Sequence, residues 1–302
     1  MASTITSSFA GKVTDFYASA FLESATLSTA GITIDNNVQY KYIPRGFSMS
    51  NIIATGSTCS WSDAGTTTVT EDPKEVKAFH INKTECYKDY YNSWNGVAAN
   101  DGLPSDVEDA LAKTTAATMK ANIESLLWKG SLATGSTTGG TYTKTMFDGF
   151  VKLLNGNAVE IAGNTLSTSN ITTKLGQAYD AIPDAVKSII NQDPSKGVIF
   201  VSFKALGFYK QALAQQGINT TQSDYKATYL GIEVRGVDLF TNVIVAGLRE
   251  SFHVASNIGL PDATINIKDM YGVTLERNAR IEAEWKYVPA VTNVSQIVLV
   301  GF

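Results

Sequence analysis

The chain is poor in the residues that carry most enzymatic and metal chemistry. Its 302 residues include 2 cysteines and 2 histidines. Cys59 and Cys86 make no disulfide framework, so free thiols in a reducing compartment are the expected state. The N-x-S/T sequons at Asn82, Asn170, Asn219 and Asn293 then carry no meaning for glycosylation. His80 and His253 lack a second histidine or cysteine at ligand spacing, which makes each a structural histidine and predicts no metal and no cofactor. Nucleophile-elbow, zinc-helix, phosphate-loop, dinucleotide and calcium-loop patterns are all missing. Positive charge is also scarce. A net charge of −4, with no basic tail or stripe, argues against a non-specific grip on nucleic acid. The longest apolar runs, VIFVSF and QIVLV, are far too short to cross a bilayer, and the N-terminus lacks the pattern of a secretory signal.

What is present is enough apolar and aromatic material for a packed core: 44% hydrophobic and 10% aromatic residues exclude a disordered chain. At this length two or more subdomains are expected. Residues 1 to 38 are rich in Ser, Thr, Ala and Gly and need something to lie against, with a short helix expected over TDFYASAFLES. From Tyr40 to Trp94 the residues turn strand-like, with DAG and EDP as turn signals. This long two-stranded excursion reads either as a surface hairpin or as an arm steadied by a neighbouring subunit.

LPSDVEDALAKTTAATMKANIESLLWKG is a long helix. Ser105 and Glu108 form a capping box, Asp106 adds charge at the N-terminus, and Val107, Leu111, Met119, Ile123 and Leu127 make a stripe. Gly130 is its stop. SLATGSTTGGTYT follows as a linker. Strands and helices then alternate through GVIFVSF, KALGFYKQALAQQG (closed by Gly217), YLGIEVRGV and NVIVAGL, with Pro183 dividing a helical stretch. In VTLERNARIEAEWKYV, Ile281, Trp285 and Tyr287 face one side, while Arg280, Glu282, Glu284 and Lys286 face the other. That is a half-buried strand with one wet face, expected to end at Pro289. Glu282 and Glu284 alternate with Arg280 and Lys286, so they read as a solvated or subunit-pairing charge ladder rather than a catalytic carboxylate pair. QIVLV is continuous and reads as a buried strand of the other subdomain.

The order of these parts, with EVKAFHINKTECYKDYYNSW before the long helix, GLRESFHVASNIGLPDATINIKDMYG, and the closing NARIEAEWKYVPAVTNVSQIVLVGF, resembles the major capsid proteins of tailed bacteriophages. The resemblance covers essentially the whole chain. It implies the α+β Hong Kong 97-like fold, with an N-terminal arm (1–38) and an extended E-loop hairpin (39–86). A peripheral domain would combine 87–142, with its spine helix at 105–129, and ribbons at 262–290. An axial α/β domain would take 143–261 and the last strand, 291–302, its tip meeting identical tips around five-fold and six-fold axes.

It further implies assembly of many copies into hexamers and pentamers of an icosahedral virion shell, built in the bacterial cytoplasm. Portal and scaffold proteins would be partners and decoration proteins could join. The shell would enclose DNA without sequence-specific binding, no membrane would be involved, and the chain would be no enzyme. Phe47, Ile52, Ile53 and Trp61 are the candidate apolar contacts of the E-loop, each alternatively packed within its own hairpin. Arg45, Lys74, Glu75 and Lys77 are its rim charges. Because the chain still opens on Met1, no cleaved scaffolding segment is expected, and no lysine–asparagine pair marks a covalent cross-link. Rival readings are an encapsulin-like compartment, a tail or decoration protein, and a soluble hydrolase.

Overall fold

Two sheets meet across the end of one long helix in the computed structural model, which describes residues 26, 31–50, 66–86, 105–132, 136–137, 140–141, 147–162, 165–218, 226–257, 264–270 and 278–301. In chain order, β1 (Thr33–Asp35), β2 (Lys41–Tyr42), β3 (Arg45–Ser50), β4 (Thr66–Glu71), β5 (Lys74–Glu75) and β6 (Lys77–Cys86) precede α1 (Ser105–Lys129). Next come β7 (Ser136–Thr137), β8 (Gly140–Thr141), α2 (Phe150–Leu154), β9 (Val159–Ile161), α3 (Ile171–Asp180) and α4 (Asp184–Gln192). They lead to β10 (Gly197–Ser202), α5 (Phe203–Gln215), β11 (Thr228–Tyr229), β12 (Ile232–Val237) and β13 (Ile244–Leu248). β14 (Phe252–Ser256), β15 (Thr264–Asp269), β16 (Asn278–Val291) and β17 (Val298–Val300) close the chain.

In α1, Met119, Ile123 and Leu127 recur every four residues and are buried, and Leu126 and Trp128 widen the stripe. Lys113, Thr114, Ala117, Thr118 and Ala121 are exposed on the other face. The Gly130 amide donates to the Leu126 carbonyl at 3.0 Å, closing the helix. The capping box and the first half of the apolar stripe fall on side chains outside the described set, as does the helix expected over TDFYASAFLES. The expected linker contains a small pairing of β7 with β8, Ser136 opposite Thr141.

One sheet is organised by β16. β6 pairs antiparallel along one edge, from Asn278 opposite Cys86 to Tyr287 opposite Lys77. β15 and then β14 share the other edge, and β1 adds in parallel to β14. Ile281 and Tyr287 are buried while Arg280, Glu282 and Glu284 are exposed, as the alternation requires. The expected stop at Pro289 is wrong: β16 continues to Val291, with Pro289 opposite Val254. Backbone bonds from Thr292 to Ser251 and from Asn257 to Lys286 place even-numbered β16 residues in hydrogen-bonded register with β14. The missing N–H of odd-numbered Pro289 therefore points to the other edge, beyond the start of β6 at Lys77, where no ladder bond is lost.

The other sheet runs β11-β12-β10-β13-β17-β9. Alternate residues serve its two faces. Ile199, Val201, Ile244, Ala246, Val298 and Val300 pack with Leu175, Val186, Ala205 and Tyr209 from α3, α4 and α5. Val198, Phe200, Val245 and Leu299 join Leu127 and Trp128 of α1, Phe150 of α2, and Phe79, Phe252 and Tyr287 of the first sheet. Trp128 lies 4.9 Å from Phe200 and 5.1 Å from Phe150, ring to ring, and Phe79 stacks on Tyr287 at 4.4 Å. Aromatic pairs at such spacings hold the two sheets and the helix end in one core. β17 lies between β13 and β9 and is wholly buried, which explains its continuous apolar run.

Candidate assembly interface

The feature that stands apart from both cores is the ribbon of β3 and β4. Its register runs from Arg45 opposite Glu71 to Ser50 opposite Thr66, and every residue of β4 is exposed. Phe47 and Val69 sit directly opposite one another, 61% and 49% exposed, so their shared face forms an apolar patch in solvent. An isolated two-stranded ribbon is at best marginally stable in water. Thr, Val and Phe favour extended backbone here, but nothing in the two cores covers them.

The root of the ribbon is firmly held. The Tyr42 hydroxyl donates to Asp35, and it lies 3.2 Å from His253 Nδ1, which is 3.3 Å from Asp35 Oδ2. Burial, then the hydrogen bond to Asp35 and its charge, push the Tyr42 phenol well above its usual range. This cluster ties β1, β2 and β14 together. The Val76 amide donates to the Tyr40 carbonyl at 3.0 Å, and Val76, Ala255 and Val288 form a small core beneath. Gly46 lies close to Asn293 at the same root: a Cβ there would come within 2.5 Å of Asn293 Oδ1 and would have to push that side chain aside. A recess of ≈ 580 Å³ opens beside it, lined by Asp72, Lys74, Asp148, Lys152 and Asn293 among others.

The charges expected as rim contacts have partners within their own chain. Arg45 Nε meets Glu71 Oε1 at 2.8 Å, Lys74 meets Asp72 at 2.8 Å, and Lys77 meets Glu75 at 2.6 Å. The hydrogen bond and charge of Lys77 hold the Glu75 carboxyl below its usual range. Exposed pairs of this kind stabilise a fold by less than about 1 kcal/mol, so they set the ribbon's surface more than its stability. Arg280, Glu282 and Glu284 lie on the exposed face of β16, with Glu284 opposite His80 across the β6 ladder. His80 is exposed, so of the two histidines His253 alone has the structural role expected of both. Ile52, Ile53, Trp61 and Cys59 lie outside the described residues, and Cys86 is a free, exposed thiol.

A second anchor was not read from the sequence. Thr26 is fully buried against α1. Its amide donates to Glu124 Oε2 at 3.0 Å, its hydroxyl donates to Glu124 Oε1, and Trp128 Nε1 donates back to that hydroxyl at 2.6 Å. The Asp238 amide adds a longer bond to the same carboxylate, 3.4 Å. The available signal was the i, i+4 pair of Glu124 and Trp128 on a helix face where only apolar residues were sought. Among the described residues there is no cluster of metal-ligating side chains, and no helix is long and apolar enough to cross a membrane.

No protein-family model and no curated protein sequence matches the chain. Solved structures do. A chain of the satellite phage P4 procapsid, in a structure that includes the size-determination (Sid) protein, superposes with a TM-score of 0.59 at 11% identity, covering 95% of this chain and 96% of that one. The capsid of an empty GTA particle gives 0.54 at 11% identity, over 93% and 90%. The virus-like particle from Pyrococcus furiosus gives 0.52 at 9% identity, over 97% and 99%. At such identities the likeness speaks to architecture, and over nearly the full length of each chain that architecture is the α+β Hong Kong 97-like capsid fold.

Proposed function

We propose that the chain is the major capsid protein of a tailed bacteriophage. Copies assemble into hexamers and pentamers, and these close into an icosahedral shell around double-stranded DNA. The observation that carries this reading is the ribbon of β3 and β4, anchored at its root and bare along its length. Its Phe47–Val69 patch is an unsatisfied surface on a monomer and a natural contact on a neighbour. Obligate contacts of this class bury about 2,000–5,000 Å² or more, enough to offset the ordering of an arm. The net charge of −4 suits a wall that encloses DNA without gripping it. The role is structural rather than catalytic. The product is a virion component, assembled in the bacterial cytoplasm with portal and scaffold proteins as partners, and open to decoration proteins outside.

The segments 1–38, 39–86, 87–142 with 262–290, and 143–261 with 291–302 act as arm, E-loop, peripheral domain and axial domain in this reading. Three strands join the β16 sheet from other segments: β1 from within 1–38, β6 from within 39–86 and β14 from within 143–261. The likeness to the Pyrococcus particle favours one second reading, an encapsulin-like compartment that encloses protein cargo. Electron microscopy of the expressed chain tests both. Uniform shells or capsomer rings are expected, and a monomer at all concentrations contradicts both readings. Nuclease-protected DNA in particles from the native source separates a virus from a compartment.

A further inference from the structure

The β16 sheet ends on a long strand with one open edge. β6 bonds to β16 through ten consecutive residue pairs with no bulge, and it contains no proline. Which backbone groups face outward follows from β16. Its even-numbered residues bond to β14 and β15, because the Asn257 amide donates to Lys286 and the Met270 amide to Asn278. Its odd-numbered residues therefore bond to odd-numbered residues of β6. The N–H and C=O groups of Ala78, His80, Asn82 and Thr84 point the other way. On that side the Val76 amide is taken by the Tyr40 carbonyl, where β2 lies along β5. From Ala78 onward no strand flanks β6 among the described residues. Ala78, His80, Asn82 and Thr84 are all exposed. An edge this long and regular is a template for another strand unless it is shortened, bulged, broken by proline or covered.

The residues of β6 say which strand fits there. An antiparallel copy of β6 centred on Ile81 sets Lys77 against Glu85, Ala78 against Thr84 and His80 against Asn82, each pair occurring twice. Lys77 already meets Glu75 in its own chain, so it would lie between two carboxylates. A shift of two residues one way puts Lys77 against Lys83 and drives the added strand into β2 at Glu75. The opposite shift moves Glu85 away from Lys77 and leaves no opposite charges paired. Charge and the position of β2 thus select one register.

We propose that the free edge of β6 pairs with the same edge of a second copy of this chain, antiparallel about a two-fold axis at Ile81, and joins two five-stranded sheets into one. Backbone bonds from Ala78, His80, Asn82 and Thr84 supply the affinity, and the pairing of Lys77 with Glu85 supplies the register. This edge is distinct from the Phe47–Val69 patch of the ribbon. The inference goes beyond the shell reading, because two subunits outside any particle can make the same pairing.

The exposed residues His80 and Asn82 test it. In a chain with Cys59 and Cys86 changed to serine, His80→Cys with Asn82→Cys sets each new cysteine opposite its counterpart, at a Cα separation of about 5.5 Å, within disulfide reach. Concentrated, mildly oxidised subunits of the double variant should run as a covalent dimer, and those of either single variant as a monomer. A double variant that stays monomeric with an unchanged thermal midpoint overturns the inference, as does equal dimer from the single variants. Asn82→Pro removes only an outward N–H, so the thermal midpoint of the subunit should hold while pairing of subunits weakens about tenfold or more. Unchanged pairing overturns the inference as well. Shells without these dimers leave the shell reading standing and this inference refuted; dimers from a chain that never forms shells do the reverse.

Discussion

The β10 strand and the β4 strand are each six residues long, and both are strands for the same local reason: their residues favour extended backbone. β10 is GVIFVS and every residue is buried; β4 is TTTVTE and every residue is exposed. The difference teaches that propensity shapes a strand but burial stabilises it. β10 lies between two strands and beneath helices on one face and α1 on the other. β4 has one partner strand and no cover among the described residues; in the proposed shell a second copy would supply what the helices supply to β10.

Removing cover from the buried side should have the largest effect. Trp128→Ala empties the junction where the helix end meets both sheets. A loss of about 3–5 kcal/mol is expected in denaturant unfolding of the subunit. A loss below about 1 kcal/mol would mean that the two sheets do not share this core. Thr26→Val comes next. It takes one donor from the buried Glu124 carboxylate and the acceptor from Trp128 Nε1, and a loss of about 1.5–3 kcal/mol is expected. Thr26→Ser keeps the hydroxyl and should retain most of that stability; a loss as large as that of Thr26→Val contradicts the assignment.

Much of the buried half was legible in the sequence, and the reason is local. Met119, Ile123 and Leu127 repeat at the helical period, QIVLV is apolar without interruption, and the alternation through Ile281 and Tyr287 separates a dry face from a wet one. What could not be read depends on partners far away in the chain. Thr26 meets Glu124 across 98 residues, and His253 reaches Tyr42 across 211. Pro289 looked like a stop because its harmlessness depends on where β6 begins. Of the charges expected at the rim, Arg45 and Glu75 are exposed and Lys74 and Lys77 are half-buried. Their partners, however, are Glu71, Asp72 and one another, set by a hairpin register the sequence leaves open.

Smaller changes sharpen the contrast from the exposed side. Tyr42 has its phenol pKa raised in the fold. Its contribution is therefore complete below the ordinary phenol value and is lost as pH rises through that value toward the higher folded one. Thermal melts above about pH 10 should fall more steeply for the wild type than for Tyr42→Phe. Equal slopes would show that the ribbon root does not hold this hydroxyl. Arg45→Ala should change subunit stability by less than about 1 kcal/mol in the same unfolding measurement, because its pairing with Glu71 is solvent-exposed. A larger loss would make the ribbon self-sufficient.

Amide hydrogen exchange over residues 45–50 and 66–71, measured on dissociated subunits and on assembled particles, tests that point most directly. Ribbon amides should exchange quickly in the subunit, while those of β10 stay protected, and should slow at least a hundredfold in the particle. Equal protection of the ribbon in both states would contradict the account, because the ribbon would then be complete without a neighbour.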